Sequence, residues 1–364
     1  GATDMTSQWI ATAIAVPGEK VYYVSASLNG ADDAVMQILS DSSVKVVSPQ
    51  VKRDYIMARN LQPSITNPIV NYYDITIAHY LLQPEMRHSI DNLASIYFDK
   101  NIGKIEDIVG KGSRQMSIFA IDDDALSQFA CEQADMALRL KPLLLERIQE
   151  LGMSELLRDV EFPLIEVLAD MEMTGVRLNE AVLNDYKSVL EERVQALEKE
   201  IYEIAGTQFN ISSPAQVGEI LFDRLKIDDK VKKTKSGKYS TSEDVLQSLK
   251  AKNPIVNKIL DVRGLRKLLS TYVEALPQLV NARTGRIHTT YNQTVTATGR
   301  LSSTNPNMQN IPVRSDEGRE IRRAFIPAEG NVFFSADYSQ IELRIMAHLS
   351  GDQNMIEAFH EGDD

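Results

Sequence analysis

The stretch N-V-F-F-S-A-D-Y-S-Q-I-E-L-R-I-M-A-H-L-S, Asn331–Ser350, carries the most information in the chain. Three apolar residues, Val332, Phe333 and Phe334, predict a buried strand running into Asp337. The spacing of Ile341, Ile345 and Leu349 predicts a helix directly after it. A carboxylate at the C-terminal end of a buried strand is held by rigid backbone and opens to solvent, so it suits a divalent cation, with neighbouring carbonyls as further oxygen ligands. Ser339 and Glu342, three residues apart, also fit a capping box, with Asp337 decorating a helix N-terminus. Spacing alone leaves both readings standing.

Upstream, Thr296–Pro312 reads T-A-T-G-R-L-S-S-T-N-P-N-M-Q-N-I-P. It is dense in amides and hydroxyls, with Arg300 after a glycine. Such side chains read minor-groove acceptors and phosphates. They equally build a turn-rich loop held by Asn, Ser and Thr bonds to backbone.

Charge is unevenly placed. The 364 residues hold 51 acidic and 39 basic side chains, a net charge of −12. Lys226–Lys238 carries six Lys and two Asp. Arg283–Arg323 carries seven Arg, no Lys and three acidic residues. Together they hold +8, which leaves −20 over the rest of the chain. An acidic protein with concentrated basic segments fits a defined polyanion-binding face; a solubilising loop and structural ion pairs give the same pattern.

Composition excludes several classes. With 43% hydrophobic residues, 18 Gly and 13 Pro the chain is globular and long enough for two or three domains. Cys131 is the only cysteine, expected to be a buried thiol, so an intrachain disulfide and a cysteine zinc site are ruled out. The five histidines show no metal-ligand spacing, and Gly103–Gly112 lacks P-loop spacing. No apolar run suits a membrane span, so the expectation is a soluble, cytoplasmic, nucleoid-associated protein without a membrane partner. Gly1-Ala2-Thr3 and the final Glu361-Gly362-Asp363-Asp364 both suggest cut ends.

Along the chain, Trp9–Val16 and Val21–Ser25 predict a hairpin turned by Pro17-Gly18, and Val44–Ser48 a further strand. Helices are expected at Tyr73–Leu82, Ser89–Tyr97 and Ala125–Leu140, with Asp122-Asp123-Asp124 capping the last. Leu157, Val160, Pro163, Leu164, Val167, Leu168 and Met171 form a helical stripe ended by Gly175. Asn179, Ser213-Pro214 and Asn253-Pro254 open three more helices.

D-Y-S-Q-I-E-L-R (Asp337–Arg344) together with Thr296–Pro312 resembles the bacterial DNA polymerase I family. Lys232–Leu246 and Arg263–Tyr272 resemble its thumb. The resemblance is strong from about Ser154 onward and weak before it. It implies an α/β plus α fold: an RNase H-like exonuclease-type domain at 1–152, a helical thumb at 153–283 and the first part of an α+β palm at 284–364. The implied function is template-dependent DNA synthesis on primer-template DNA from deoxynucleoside triphosphates, with two Mg²⁺ ions. Asp337 would be a catalytic metal ligand, joined by the Tyr338 carbonyl. Tyr338, Gln340, Glu342 and Arg314 would meet the nucleotide, with Glu342 crowding the sugar 2′ position. Arg300, Asn307, Gln309, Arg263, Lys267, Lys232, Lys233 and Lys235 would meet DNA.

The family's second palm carboxylate and its fingers helix are not found in these residues, so the 364 residues alone are expected not to polymerise. A non-catalytic duplex-binding module is the alternative, and missing palm strands predict exposed apolar surface that invites self-association. The first region lacks the family's D-x-E pair, and its Tyr-x-x-x-Asp element reads Phe129-Ala-Cys-Glu-Gln133, so no proofreading is expected. Asp54 could supply one of the family's later acids, and a metal-dependent nuclease with its active site in the first region is the third reading.

Overall fold

The computed structural model describes residues 7–112, 115–228, 230, 231, 233 and 237–362. Contacts divide the chain into two compact units, Gly1–Phe325 and Ile326–Asp364.

The first unit opens with the expected hairpin. Strands β1 (Ala11–Ala15) and β2 (Val21–Ser25) pair antiparallel, Ala13 opposite Tyr23. Then come α1 (Ala31–Ser40), β3 (Val46–Ser48), α2 (Val51–Leu61) and β4 (Tyr72–Asp74), with β3 and β4 parallel, a βαβ unit. Tyr73, expected at a helix start, lies in β4 opposite Val47; the helix α3 (Ile75–Leu82) begins after Asp74, whose side chain caps it. Helices α4 (Ile90–Phe98), α5 (Ile105–Val109) and α6 (Asp123–Glu150) follow. Helix α6 outruns the expected Ala125–Leu140 and passes through Pro142, because Leu140, Leu144 and Ile148 stay buried on its inner face. Asp122 occupies its N-cap position without a side-chain cap bond. Cys131 is half-buried rather than buried, since its face of α6 reaches the edge of the core.

The middle of the unit is helical. After α7 (Ser154–Leu156) the chain makes one wide turn, Leu157–Glu161, in which the Phe162 N–H donates to the Leu157 carbonyl five residues back. Helix α8 (Phe162–Thr174) follows. The wide turn shifts the helical phase, so the stripe read from the sequence is only partly the buried one. Leu157 and Leu168 are buried, as are Ile165, Ala169 and Glu172, whereas Val160, Val167 and Met171 face solvent. Next come β5 (Val176–Leu178), α9 (Glu180–Ala205), α10 (Pro214–Gly218), α11 (Glu243–Leu249), α12 (Pro254–Leu268) and α13 (Ala275–Gln278). Ser213 and Asn253 cap α10 and α12 as their sequence positions suggest. Helices α9 and α12 pack together through Leu190, Val194 and Ile201 against Ile255, Ile259 and Val262, the centre of the largest core.

The unit closes with β6 (Arg286–Ile287), the hairpin β7 (Thr290–Asn292) and β8 (Ser302–Thr304), α14 (Asp316–Arg323) and a strand β9 (Phe325–Ile326) that begins at its last residue. Strands β6, β5 and β9 form one sheet in that order. Thus β5, from the range expected to be thumb, pairs with β6, from the range expected to be palm.

Gly175 joins α8 to β5 at φ +61° and ψ −178°, a conformation open essentially to glycine alone. A Cβ there would sit 2.6 Å from the Ile287 carbonyl oxygen and 2.7 Å from the His288 ring. Gly175→Ala is expected to cost at least about 1–3 kcal/mol from the backbone alone, read as a lower urea midpoint. Ile259→Ala, which empties a fully buried site between α9 and α12, should cost about 2–5 kcal/mol in the same measurement.

Candidate nucleic-acid and nucleotide site

The second unit holds Asp337 and its neighbours. Helix α15 (Ile341–Ser350) and helix α16 (Gln353–Glu361) pack as a pair, with Asp352 capping the second by accepting from the Met355 N–H at 2.9 Å. The Arg344 guanidinium lies over the Phe359 ring, 4.6 Å from its centroid, and its Nε donates to the Ser339 carbonyl at 3.0 Å. The cap position of α15 is Gln340, in the left-handed region at φ 49°, not Ser339, and no side-chain cap bond forms. The Ser339–Glu342 capping box is therefore not made.

The buried strand expected before Asp337 is not formed either. A strand is completed by ladder bonds to a neighbour, and within this unit no described residue pairs with residues 332–337. Val332 is 85% and Phe334 90% exposed. Tyr338 and Leu349 are also exposed, and Ile341 and Ile345 lie open on α15. Asp337 is exposed beside them, Glu342 occupies the first turn of α15, and Gln340 is half-buried. Among the described residues no group of three or more His, Cys, Asp or Glu is placed to hold a metal ion.

The first unit holds the expected DNA-facing residues. Arg300 is exposed at the end of the loop between β7 and β8, and Arg314 is exposed just before α14. Asn307 and Gln309 shape their own turn: Asn307 Oδ1 accepts from the Gln309 N–H at 3.0 Å, and Gln309 Nε2 donates to the Leu301 carbonyl at 3.1 Å. Arg263 is half-buried on α12 and donates to the Thr241 carbonyl at 2.6 Å and to its hydroxyl at 3.3 Å; burial lowers its pKa. Its guanidinium braces the start of α11, while Lys267, one turn on, is exposed. Lys233 is exposed and stacks on Tyr239, 4.9 Å from the ring centroid. Lys232 and Lys235 lie outside the described residues.

The first region holds the acidic and amide residues on which the sequence-based expectation about nuclease chemistry turned. Strand β1 is Ala-Thr-Ala-Ile-Ala, without a carboxylate. Gln133 donates to the Gly103 carbonyl at 3.2 Å and Glu132 accepts from the Gly103 N–H at 3.3 Å, so both hold a loop. Asp54 accepts from Ser48. Sequence reading missed Asp74, a buried carboxylate that accepts from the Val51 and Ile77 N–H groups at 2.9 Å each. An Asp just before an apolar periodic run was the available signal. Burial pushes Asp74 up to about 7, against its backbone donors. Two histidines nine residues apart also meet: His79 Nδ1 and His88 Nδ1 share a 2.7 Å hydrogen bond, and burial pushes His79 down to about 4.

These two shifts act on stability with opposite signs. Between about pH 4 and 7 folded Asp74 keeps a proton that the unfolded chain releases, so its contribution falls as pH rises. Between about pH 6.5 and 4 the unfolded chain protonates His79 and the folded chain does not, so that contribution falls as pH drops. Asp74→Asn removes only the first, and the variant's urea midpoint should rise more steeply than the parent's from pH 5 to 7. Superimposable profiles would contradict the assignment. The exposed apolar face gives a second prediction: the chain should enhance the fluorescence of an apolar dye, and Phe334→Ser with Leu349→Ser should remove most of that signal.

Residues 180–364 match the model of DNA polymerase family A, and residues 3–140 that of the DNA polymerase I ribonuclease H-like domain. DNA polymerase I of Chloroflexus aurantiacus is 50% identical over 262 residues, covering 71% of this chain and 28% of the relative. That of Pseudomonas aeruginosa is 40% identical over 328 residues, covering 90% of this chain and 36% of the relative. The chain thus spans about a third of the length of these relatives. Among solved structures, the polymerase domain of Pol1 from M. smegmatis, in complex with DNA primer-template and dNTP, aligns at TM-score 0.79 and 34% identity, over 98% of this chain and 59% of that one. With an RNase H-like region followed by a polymerase region, the chain belongs to DNA polymerase family A.

Proposed function

We propose that these residues are part of a DNA-directed DNA polymerase that binds primer-template DNA and transfers nucleotides from deoxynucleoside triphosphates to a primer 3′ end, in replication and repair. The observation that carries this is the presence in one sequence, within the family match at 180–364, of both the Thr296–Pro312 motif with Arg300 and the Asp337–Arg344 motif. The matched Pol1 domain holding primer-template and dNTP supports it. We assign 1–152 as an exonuclease-like domain, 153–283 as thumb and 284–364 as the first part of the palm.

In this reading Asp337 and the Tyr338 carbonyl offer oxygen ligands to metal. Tyr338, Gln340, Glu342 and Arg314 face the nucleotide. Arg300, Asn307 and Gln309 meet the primer-template, and Lys267 with Lys232, Lys233 and Lys235 meets the duplex backbone. Arg263, bonded to Thr241, contributes by fixing the α12 face that presents Lys267. The whole protein would use two Mg²⁺ ions, which promote attack by the 3′-hydroxyl and stabilise the leaving pyrophosphate. One carboxylate and one carbonyl do not complete an octahedral oxygen set, and no described cluster adds the rest, so the residues here do not by themselves fit the pair of ions.

The test uses the 364-residue chain and a labelled primer-template duplex with a recessed 3′ end. Binding should appear at low salt and weaken linearly on a log–log plot, and Lys267→Ala should reduce the slope by about 1. Absence of binding at low salt would sink the reading. With Mg²⁺ and all four dNTPs the chain should give no extension, and single-stranded DNA should stay intact. Template-dependent extension would refute the incomplete-site assignment, while DNA degradation that vanishes in Asp54→Ala would restore a nuclease.

A further inference from the structure

We infer that Tyr80 is a positioning residue for the loop that carries Arg300, and that the RNase H-like region serves the polymerase site as its mechanical support. The inference deepens the polymerase reading above and rests on it.

Tyr80 is buried on α3, yet its hydroxyl reaches the loop between β7 and β8. That hydroxyl donates to the Thr296 carbonyl at 2.7 Å and accepts from the Gly299 N–H at 3.0 Å. Thr296 Oγ1 in turn donates to the Arg300 carbonyl at 2.6 Å. One phenol and one threonine therefore fix both sides of residues 296–300. Within the loop Val295 is exposed, and Gly299 sits in the left-handed region at φ +81°. An exposed glycine-containing loop without such ties loses its order to conformational entropy.

The tyrosine is itself held. Its ring stands edge-on to His88 at 5.7 Å, and His88 is bonded to buried His79. A second connection reaches the stem of the same hairpin. Lys52 on α2 pairs with Glu172 and donates to the Tyr291 carbonyl in β7. Stem and tip of the hairpin are thus both tied to a region whose β1 carries no carboxylate.

The test is Tyr80→Phe, which keeps the ring and removes the hydroxyl. Two readouts apply: amide hydrogen exchange at Gly299, and affinity for the labelled recessed primer-template duplex. Losing two hydrogen bonds should speed Gly299 exchange about tenfold and weaken binding about three- to tenfold. Arg300→Ala should weaken binding similarly, and adding Tyr80→Phe to it should cost nothing more. Thr296→Val, which cuts the tie to Arg300 without touching the core, should reproduce the loss even if Tyr80→Phe folds poorly. Unchanged Gly299 exchange, unchanged affinity in Thr296→Val, or additive losses in the double variant would each overturn the inference. If Arg300→Ala leaves binding unchanged, the polymerase reading of Arg300 fails, and Gly299 exchange still decides whether Tyr80 holds the loop.

Discussion

Glu172 is a carboxylate only 3% exposed, near the end of α8. A charge so buried is tolerable only when paired and hydrogen-bonded. Its pair is Lys52, from α2, at 2.5 Å, and it accepts from the Tyr291 N–H at 2.8 Å. Its own carbonyl meets His288 Nδ1 at 2.6 Å. Three segments separated by more than a hundred residues each therefore converge on one residue. Removing Lys52 would strand the charge; replacing all partners by apolar groups would be a different protein with a different junction. The sheet β6-β5-β9, the glycine at position 175 and the hairpin that bears Arg300 all depend on this junction staying closed.

Around it the molecule divides its labour by charge and cover. The largest core lies between acidic α9 and basic α12, whose outward charges meet in the Lys258–Glu200 and Arg266–Glu198 pairs, and further basic residues gather in the loops after β7. Several of these are already engaged: Arg322 with the Pro312 carbonyl, Arg323 with Glu320, Arg319 with Asp316. Counting arginines thus overstates the polyanion-facing charge; Arg300, Arg314 and Lys267 are exposed as well. The Asp337 segment presents the opposite case, apolar residues patterned for burial that are open to solvent.

Much of this was readable in the residues. The β1–β2 hairpin, the caps at Ser213 and Asn253 and the two long helices followed from local signals, which act over a few residues and are written in order. The family resemblance rested on two motifs and was borne out. What escaped reading was long-range. Tyr73 became a strand residue because Val47 lies opposite it, and no pattern in 73–82 announces that partner. Arg263 turned inward because Thr241 is there to receive it. Glu172 and Tyr80 look like ordinary helix residues until the chain brings their partners from far away. The strand expected at Val332–Phe334 is not formed, because an apolar run becomes a strand only when a neighbour pairs with it and no described residue of its unit does.

The wide turn at Leu157–Glu161 has a consequence for how this segment can vary. A turn closed from Phe162 back to Leu157 holds one residue more than a regular helical turn, so deleting one residue from it would restore regular winding and leave α8 facing as it does. Ile165 and Leu168 would stay in the core and Glu172 beside Lys52, whereas a deletion inside α8 itself, where every turn is regular, would rotate the residues after it by about 100°. Exchanges of side chain at the exposed positions Val160 and Val167 disturb none of this. The segment is therefore tolerant in spelling at its exposed positions and, at the wide turn alone, in length by one residue: relatives that keep the Lys52–Glu172 pair should keep the count of residues from Phe162 to Glu172 and can lack one between Leu157 and Glu161.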